Sequence, residues 1–328
     1  MKIRVPAIAL VAALLAMLLG GSALAQPYPA RPVTFVVPFA AGGATDVLAR
    51  QFAERMARTF GQNIIVENVA GAGGTLGAAR VAKAKADGYT FLIGHMGYMA
   101  AAVGLYAKLP YDPVLDFDAV ARFPDTPLVL LVGRNTGLND VRTLITQAKQ
   151  NPGKLNFGNA GVGSTGHLVA ALFASSAGID LTFVAYKGNA PAIADIIGGH
   201  IQGMFDQSNT ALPQVKARNV LALAITSRRR LPQMPNVPTL DESGLAGFEA
   251  ATWYGIYAPK GTPQSVIARI YAQYAEAMQD RNFSDRLVED GYQLLDPSAS
   301  TGQALAAHTK SEVERWKKVI AEARIPVN

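Results

Sequence analysis

The sequence predicts a two-lobed α/β fold, with a mostly parallel sheet flanked by helices in each lobe. Strand-like apolar runs alternate with helical segments twice, first between residues 33 and 93 and again between residues 128 and 206. This alternation is typical of βαβ units, whose strands run parallel. The 328 residues are also enough for two domains of roughly 100 to 200 residues each. Two sheets built in succession therefore predict two lobes.

The first series opens with Val33-Thr34-Phe35-Val36-Val37, whose β-branched and aromatic residues favour a buried strand. Apolar residues at helical spacing follow this run, and the same order then repeats. We predict strands at 33–37, 64–67 and 90–93, with helices at 45–60 and 75–85. The second series predicts strands at 128–132, 155–158, 181–186 and 203–206, with helices at 141–150, 167–177 and 190–197.

The C-terminal part is rich in helices and poor in strands. We predict one strand at 252–257 and helices at 263–279, 284–289 and 301–323. Since one strand cannot form a sheet of its own, we infer that this part packs back on the first lobe. The chain then crosses between the lobes near Phe123 and near Gly247, so that lobe 1 comprises residues 26–123 plus 248–328 and lobe 2 residues 124–247. Two hinge crossings leave a cleft that can close on a ligand.

The N-terminus has the pattern of a secretory signal peptide. Lys2 and Arg4 precede an apolar run, and Ala23-Leu24-Ala25 supplies the small residues of a cleavage site. We predict that residues 1–25 are removed after Ala25 and that the mature protein is exported to the periplasm of a Gram-negative bacterium. The chain has no cysteine, so we expect neither a lipid anchor on that residue nor a disulfide.

The charge balance does not indicate a nucleic-acid partner. The chain has 30 basic and 24 acidic side chains; without Lys2 and Arg4 the excess of basic residues is mild and compatible with an anionic ligand. The one dense basic run, Arg228-Arg229-Arg230, lies in a proline-rich connector. A solvated loop explains this run more simply than a binding patch does.

The first predicted strand runs into a glycine-rich turn that opens a helix. Gly42 and Gly43 permit unusual backbone dihedrals and a close ligand approach, while the following helix presents unpaired N–H groups and a positive dipole end. The turn therefore has the composition of an anion-binding loop, although a tight strand-to-helix turn without a ligand has the same sequence requirements. Asp46, in the first helical turn, can offset the helix dipole or contact the ligand.

The second lobe repeats this feature in Ala160-Gly161-Val162-Gly163-Ser164-Thr165-Gly166-His167, directly after a predicted strand. Ligands of α/β sheets bind beyond the carboxyl ends of strands, so both loops can face one cleft and two helix N-termini can converge on one anion. Ser164 and Thr165 can donate hydroxyl hydrogen bonds to the ligand or cap the helix. His167 can be a ligand contact or an ordinary first-turn residue.

Signatures of cofactor binding and catalysis are missing or incomplete. The second loop fits G-x-G-x-x-G, but no acidic residue stands near Tyr186, where a dinucleotide site needs its ribose partner. The sequence contains no G-x-S-x-G elbow and no Walker A motif, and its four histidines lack H-E-x-x-H spacing. We therefore expect no cofactor, no metal site and no enzymatic activity.

A series of short motifs runs through essentially the whole mature chain. In order they are Pro38-Phe39-Ala40-Ala41-Gly42-Gly43-Ala44-Thr45-Asp46, Glu67-Asn68 with Gly71-Ala72-Gly73-Gly74, Leu109-Pro110-Tyr111-Asp112-Pro113 before Asp116-Phe117, Tyr186-Lys187-Gly188, Pro235-Asn236-Val237-Pro238-Thr239 and Trp253-Tyr254-Gly255. The series resembles the Bug family, the TctC-like extracytoplasmic receptors of tripartite tricarboxylate transporters. The resemblance implies a periplasmic solute-binding protein of the Venus flytrap type, which delivers an organic carboxylate to a membrane permease without chemistry. We expect it to be a monomer.

The resemblance also implies that the two glycine loops act as pincers, which hold a carboxylate through backbone N–H groups, hydroxyls and ordered water. In this chain the pincers are residues 39–46 and 160–167. The candidate ligand-binding residues on them are Phe39, Ala40, Ala41, Gly42, Gly43, Thr45, Asp46, Ala160, Gly161, Gly163, Ser164, Thr165 and His167.

Side chains beyond the pincers are expected to select the ligand. His95 and Met96 follow a first-lobe strand and, with Phe39, Trp253 and Tyr254, can form an aromatic-lined wall that favours an aromatic carboxylate. The alternative is that Met96, Tyr98 and Trp253 are ordinary core between the lobes.

Two charged candidates complete the set. Asp206 ends a second-lobe strand and can accept a hydrogen bond from a ligand ammonium or hydroxyl, or cap the next helix. Lys187 can pair with a distal carboxylate or lie in a solvated turn. The candidate ligands are dicarboxylates, acidic amino acids and aromatic carboxylates.

Two other functions stay open at this point. One is a periplasmic co-receptor whose liganded form contacts a sensor kinase, and the other, least favoured, is a secreted hydrolase.

Overall fold

The computed structural model describes residues 28–322 and shows an α/β fold with two sheets flanked by helices. The predicted leader and its cleavage after Ala25 lie outside the described residues. The strands are β1 (Val33–Val37), β2 (Ile64–Asn68), β3 (Thr90–His95), β4 (Phe117–Arg122), β5 (Thr126–Gly133), β6 (Asn156–Asn159), β7 (Thr182–Ala185), β8 (Gly203–Gln207), β9 (Val220–Ile225), β10 (Ala251–Thr252) and β11 (Tyr254–Pro259).

The described helices follow most of the predicted segments, with ends displaced by one to three residues. They are α1 (Ala44–Phe60), α2 (Thr75–Ala82), α3 (Ala102–Leu105), α4 (Val141–Gln150), α5 (Thr165–Ala177), α6 (Asn189–Gly198), α7 (Ser208–Lys216), α8 (Gln264–Gln279), α9 (Arg281–Glu289) and α10 (Gly302–Glu322). Short helical turns cover Ala72–Gly74, Gly97–Ala101 and Pro297–Ser300. None of the helices between residues 28 and 322 has the length and apolar character needed to span a bilayer.

The first sheet has the strand order β2-β1-β3-β11-β4, and the second has the order β10-β5-β8-β6-β7, with β9 paired to β5. The strands that precede a ligand-facing loop are parallel: β1 pairs parallel with β2 and β3, and β6 with β7 and β8. The strands next to the crossings, β5 and β11, pair antiparallel with all their neighbours. Each sheet is therefore mixed. The strands β5 and β11, which directly follow a crossing between the sheets, run opposite to the parallel strands whose carboxyl ends point towards the other lobe.

The chain passes from the first sheet to the second between Arg122 and Thr126 and returns at Trp253, between β10 and β11. Residues 248–252 still pack with the second lobe: β10 pairs with β5, and Phe248 and Ala250 lie in the second core. The return crossing therefore lies at Trp253 rather than near Gly247. The C-terminal helix α10 packs back against β4 and the turn Gly97–Ala101 of the first sheet, as predicted.

Candidate functional site

A small cavity, here called the inner cavity, lies between the two sheets at the carboxyl ends of their parallel strands. Its volume is about 20 Å³, which is room for about one water molecule. Its lining residues come from both sheets' loops and are Phe39, Gly43, Ala44, Thr45, His95, Ala160, Ser164, Gly188, Asn189 and Gln207. Residues of both predicted pincers thus lie at one place, together with residues at or after the ends of three further strands, β3, β7 and β8.

Four helices begin at the inner cavity. The residues just before α1, α5, α6 and α7 are Gly43, Ser164, Gly188 and Gln207, and all four line it. Only Ser164 caps its helix with a side chain, its Oγ accepting a hydrogen bond from the His167 amide at 3.4 Å. The first N–H groups of a helix have no intrahelical partner and carry partial positive charge. The cavity is therefore electropositive although neither Lys nor Arg is among its lining residues.

Asp46 fixes the first pincer through hydrogen bonds. Its side chain is buried, and its carboxylate accepts hydrogen bonds from the Gly42 amide, Arg50 Nε and Asn68 Nδ2, each at 2.9 Å. Burial raises the pKa of this carboxyl, but the hydrogen bonds from Arg50, Gly42 and Asn68 outweigh it and hold the pKa below its ordinary value. Both oxygens are occupied and Asp46 does not line the cavity. Its ligand-contact role is thus not supported, and it acts by fixing the loop.

The second pincer is also held by its own side chains. The Asn159 Oδ1 accepts from the Gly161 amide at 3.0 Å, and His167 Nδ1 accepts from the Gly163 amide at 3.3 Å. The His167 ring packs edge-on against Phe183, 5.2 Å between centroids. His167 therefore positions the loop and does not line the cavity, whereas Ser164 does.

His95 and Thr165 form a hydrogen bond between the two lobes. His95 Nδ1 accepts from the Gly97 amide at 2.9 Å, so the ring proton is placed on Nε2, which lies 2.8 Å from Thr165 Oγ1. Both side chains are buried, and burial lowers the pKa of His95 to about 3. The imidazole is therefore neutral at physiological pH and donates across the cleft to Thr165.

The predicted aromatic wall is only partly formed. Phe39 and His95 line the inner cavity and pack edge-to-face, 5.3 Å between centroids. Met96 is buried in the first core, and its amide donates to the Trp253 carbonyl. The Trp253 indole Nε1 donates to Glu312 at 3.1 Å, away from the cavity. Met96 and Trp253 are thus core residues, which was the alternative explanation.

Asp206 lies behind the inner cavity rather than on its surface. It is fully buried, and its carboxylate accepts hydrogen bonds from Asn189 Nδ2 and from Thr210 Oγ1. Burial raises the pKa of Asp206 to about 7, against the lowering effect of these hydrogen bonds. Asn189 also donates to Gln207 Oε1 at 2.6 Å. Asp206 therefore orients Asn189, which lines the cavity together with Gln207.

Sequence reasoning missed four residues that line the inner cavity, Ala44, Gly188, Asn189 and Gln207. A signal existed for the two with polar side chains, since Asn189 follows the Tyr186-Lys187-Gly188 motif at a predicted helix start and Gln207 directly follows a predicted strand. Seven of the predicted pincer residues line neither this cavity nor the larger one described next: Ala40, Ala41, Gly42, Asp46, Gly163, Thr165 and His167.

A larger outer cavity of about 450 Å³ adjoins the inner one and shares Phe39 and Ala160 with it. Both lobes contribute to its walls, through the segment 70–74 of the first and the second pincer. Gly161 and Lys187, two of the predicted ligand-binding residues, line this outer cavity.

The lobes touch through glycine backbones around the two cavities. A Cβ on Gly73 would lie 2.1 Å from the Val162 carbonyl oxygen, and one on Gly97 would lie 2.4 Å from the Gly163 carbonyl oxygen. Such distances are far below a van der Waals contact, so only glycine permits this approach. The described arrangement is therefore a closed one.

In the part of the chain that the structure describes, no group of three or more His, Asp or Glu side chains could hold a metal ion.

Three solved structures resemble most of the chain. The periplasmic binding protein BugD is 37% identical with a TM-score of 0.88, and the match covers 92% of this chain and 100% of that one. MatC from Rhodopseudomonas palustris with bound malate is 37% identical with a TM-score of 0.86, and the match covers 89% of this chain and 100% of that one. An R. palustris protein with adipate is 35% identical with a TM-score of 0.88, and the match covers 92% of this chain and 100% of that one. BugD and the other neighbours share the two-lobed fold.

A family model described as the tripartite tricarboxylate transporter family receptor, TctC, matches residues 48–325. This match covers all the described strands except β1, and all but the first motif of the series seen in the sequence. The chain therefore belongs to the TctC family of tripartite tricarboxylate transporter receptors.

Proposed function

We propose that this protein is a solute-binding protein that captures a small organic carboxylate between its lobes and delivers it to the permease of a tripartite tricarboxylate-type transporter. The observation that carries the proposal is the start of four helices at one cavity between the lobes. Helix N-termini bind anions through free N–H groups and the dipole, without a cationic side chain. The malate and adipate in the two R. palustris neighbours are carboxylates, which supports this ligand class.

The same proposal places the protein in the periplasm. BugD is a periplasmic binding protein with the same fold, and the sequence begins with the pattern of an export signal, Lys2 and Arg4 before an apolar run. The family match supports a permease partner, because the family model is described as a receptor of tripartite tricarboxylate transporters.

Geometry also supports binding without catalysis. Thr165 and His95 are 2.8 Å apart and look like a nucleophile with its base. A base must accept the hydroxyl proton, but the Gly97 amide occupies Nδ1 of His95 and leaves the proton on Nε2, the atom facing Thr165. The pair therefore has the wrong tautomer for activation of the hydroxyl, which suits a structural hydrogen bond between lobes.

The test is a thermal-unfolding screen of the mature protein, refolded to remove any carried-over ligand, against malate, adipate, glutamate, nicotinate and benzoate. A ligand at 100 times its dissociation constant should stabilise the folded state by about 2.7 kcal/mol. The positive carboxylate is then titrated into the Thr45→Val variant, which loses one hydroxyl at the inner cavity. Since a hydrogen bond to a charged group contributes about 1.5 to 3 kcal/mol, the affinity should fall roughly 10- to 150-fold.

The matched control is Thr146→Val, on the exposed side of α4 and outside the linings of both cavities. Its affinity should equal that of the wild type. Equal affinities of all three proteins would contradict the assignment of the inner cavity as the carboxylate site.

A further inference from the structure

We propose that carboxylate binding at the inner cavity is coupled to the uptake of one proton by Asp206, so that the affinity falls as the pH rises above neutral. This inference rests on the proposed function and concerns the regulation of the same site. Asp206 is fully buried and does not line the cavity. Asn189, which donates a hydrogen bond to it, and Gln207, the next residue in the chain, both line the cavity. A carboxylate bound there would therefore lie directly in front of the buried Asp206 carboxyl group.

The elements around Asp206 provide no cation that would offset its negative charge. Those that pack most extensively against β8 are β5, β6, α5, α6 and α7. The two strands contain no ionisable side chain, and the helices contain one each, His167, Asp195 and Lys216. His167 and Asp195 are hydrogen-bonded to other groups, and Lys216 is exposed in the last turn of α7. Tyr254 of the first lobe lies close enough to interact with Asp206, but burial raises the pKa of its phenol, which stays neutral. An ionised Asp206 would thus repel a ligand carboxylate.

The hydrogen bonds around Asp206 have a place for the added proton. Thr210 Oγ1 lies 2.7 Å from Asp206 Oδ2 and 3.1 Å from the Gln207 carbonyl oxygen, so its single hydroxyl proton has two acceptors. When Asp206 Oδ2 takes a proton from solvent, it donates to Thr210 Oγ1, and the hydroxyl donates to the Gln207 carbonyl. Asn189 Nδ2 keeps its hydrogen bond to Asp206 Oδ1 in both states. The neutral acid therefore satisfies every member of this network.

Asp206 is the buried carboxyl of the site whose charge changes near neutral pH. Burial raises its pKa to about 7, whereas burial lowers the pKa of His95 to about 3 and also lowers the pKa of His167. Both imidazoles are therefore neutral above pH 6.5, and Asp46 is ionised there because its pKa lies below the ordinary value.

A bound carboxylate raises the pKa of Asp206 further, since the two negative charges repel each other. Above neutral pH the empty protein has lost this proton and the liganded protein holds it, so that binding takes up a proton from solvent. By linkage, the affinity for the carboxylate then falls by up to about tenfold for each step of one in pH. Below neutral pH Asp206 is neutral in both states, and the affinity no longer depends on it.

Calorimetric titration of the refolded mature protein at pH 6.5 and pH 8.5 tests the coupling, with malate, adipate, glutamate, nicotinate and benzoate as ligands. The carboxyl groups of these ligands are ionised at both pH values. We expect the affinity of each carboxylate that binds to fall about 5- to 20-fold from pH 6.5 to pH 8.5. At pH 8 the binding enthalpy should also differ between HEPES and Tris buffers, because the buffer supplies about half a proton or more per ligand bound.

Asp206→Asn is the matched variant, because its amide can accept from Asn189 and donate to Thr210 as the protonated acid does, but it cannot ionise. Its ratio of affinities at the two pH values should be about one, and the difference in enthalpy between the buffers should be absent. The control Asp180→Asn removes an exposed carboxyl of the same lobe, outside the linings of both cavities. It should keep the pH dependence of the wild type.

The outcomes separate the two proposals. If the wild type binds a carboxylate equally well at both pH values and without proton uptake, or if Asp206→Asn keeps the wild-type pH dependence, the coupling is wrong while carboxylate binding at the inner cavity stands. If none of the five carboxylates binds at either pH, the proposed function itself fails and the coupling with it. The comparison of buffers on the wild type decides the matter even if Asp206→Asn does not fold.

Discussion

Gly73 is a point of contact between the lobes where one added methyl group should weaken ligand binding. A Cβ at this position would lie 2.1 Å from the Val162 carbonyl oxygen, against about 3.4 Å for an ordinary contact. In Gly73→Ala the lobes must therefore separate by about 1.3 Å at this edge or the loops must distort. Forcing an extra methyl into a packed contact costs about 1 to 3 kcal/mol, and this cost applies to the closed form alone.

A second cost acts on folding and can be separated from the first. Gly73 has a φ of 62°, in the left-handed region, where a residue with a Cβ costs about 1 to 2 kcal/mol. Gly61, at the end of α1, has a φ of 78° and nothing within 4 Å of an added Cβ. Gly61→Ala therefore carries the same backbone cost without the contact between lobes.

The assay combines thermal unfolding without ligand and calorimetric titration with the carboxylate that the wild type binds best. Both variants should lose a similar amount of unfolding free energy, about 1 to 2 kcal/mol. Only Gly73→Ala should lose affinity, roughly 5- to 150-fold. Equal affinities of Gly73→Ala and Gly61→Ala would refute the reasoning that the lobes close on the ligand through this contact.

Three further predictions concern the buried polar groups of the site. Because the pKa of Asp46 lies below its ordinary 3.8, its ionised carboxylate stabilises the fold above that pH, and this contribution is lost as the pH falls through the lowered pKa. In denaturant unfolding at pH 7, Asp46→Asn should lower the free energy of unfolding by about 1 to 3 kcal/mol. The gap in stability between Asp46→Asn and the wild type should close towards pH 2. An equal gap at both pH values would contradict this. The pKa of Asp206 is raised to about 7 in the folded state, so the folded protein keeps this proton to a higher pH than the unfolded chain does. The free energy of unfolding should therefore fall as the pH rises from about 4 to 7, and Asp206→Asn should remove this fall. Parallel pH profiles of wild type and Asp206→Asn would contradict this prediction. Thr165→Val leaves the His95 Nε2 proton without its partner across the cleft and should weaken ligand binding about 5- to 150-fold. Calorimetric titration of this variant, with Thr146→Val as the control, measures the effect. An unchanged affinity would mean that this hydrogen bond is absent in the liganded state.

The parts of the fold that the sequence predicts well are those set by local pattern. β1 and α4 match the predicted bounds, because an apolar β-branched run and an Asp140 cap before an amphipathic segment each define an element locally. β4, with Phe117-Asp118-Ala119-Val120-Ala121-Arg122, was not predicted, since its sides alternate imperfectly between apolar and polar. The helix α7 was also missed, because Pro213 lies within it and favours a break.

The residues of the candidate site also divide into those that local sequence pattern predicts and those that only tertiary packing brings together. The two glycine loops are continuous in sequence, and their composition predicts an anion-binding turn directly. The contributions of Gly188, Asn189 and Gln207 depend on the pairing of β6 with β7 and β8, which brings three strand ends together. The sequence marks Asn189 and Gln207 only as residues next to predicted elements; that they meet at one cavity depends on long-range strand pairing, which one sequence does not show. The buried network of Asp206, Asn189 and Thr210 is likewise a product of tertiary packing.

Calorimetric titration of the refolded mature protein with carboxylates and their neutral amides tests the central claim most directly. Malate, adipate, glutamate and benzoate are each compared with the corresponding amide, which keeps the size and shape and removes the negative charge. Four helix N-termini at one cavity predict that at least one carboxylate binds and that its amide binds at least 100-fold more weakly, since the helix starts act on charge. Equal affinity for a carboxylate and its amide, or no binding by any of the carboxylates, would contradict the account.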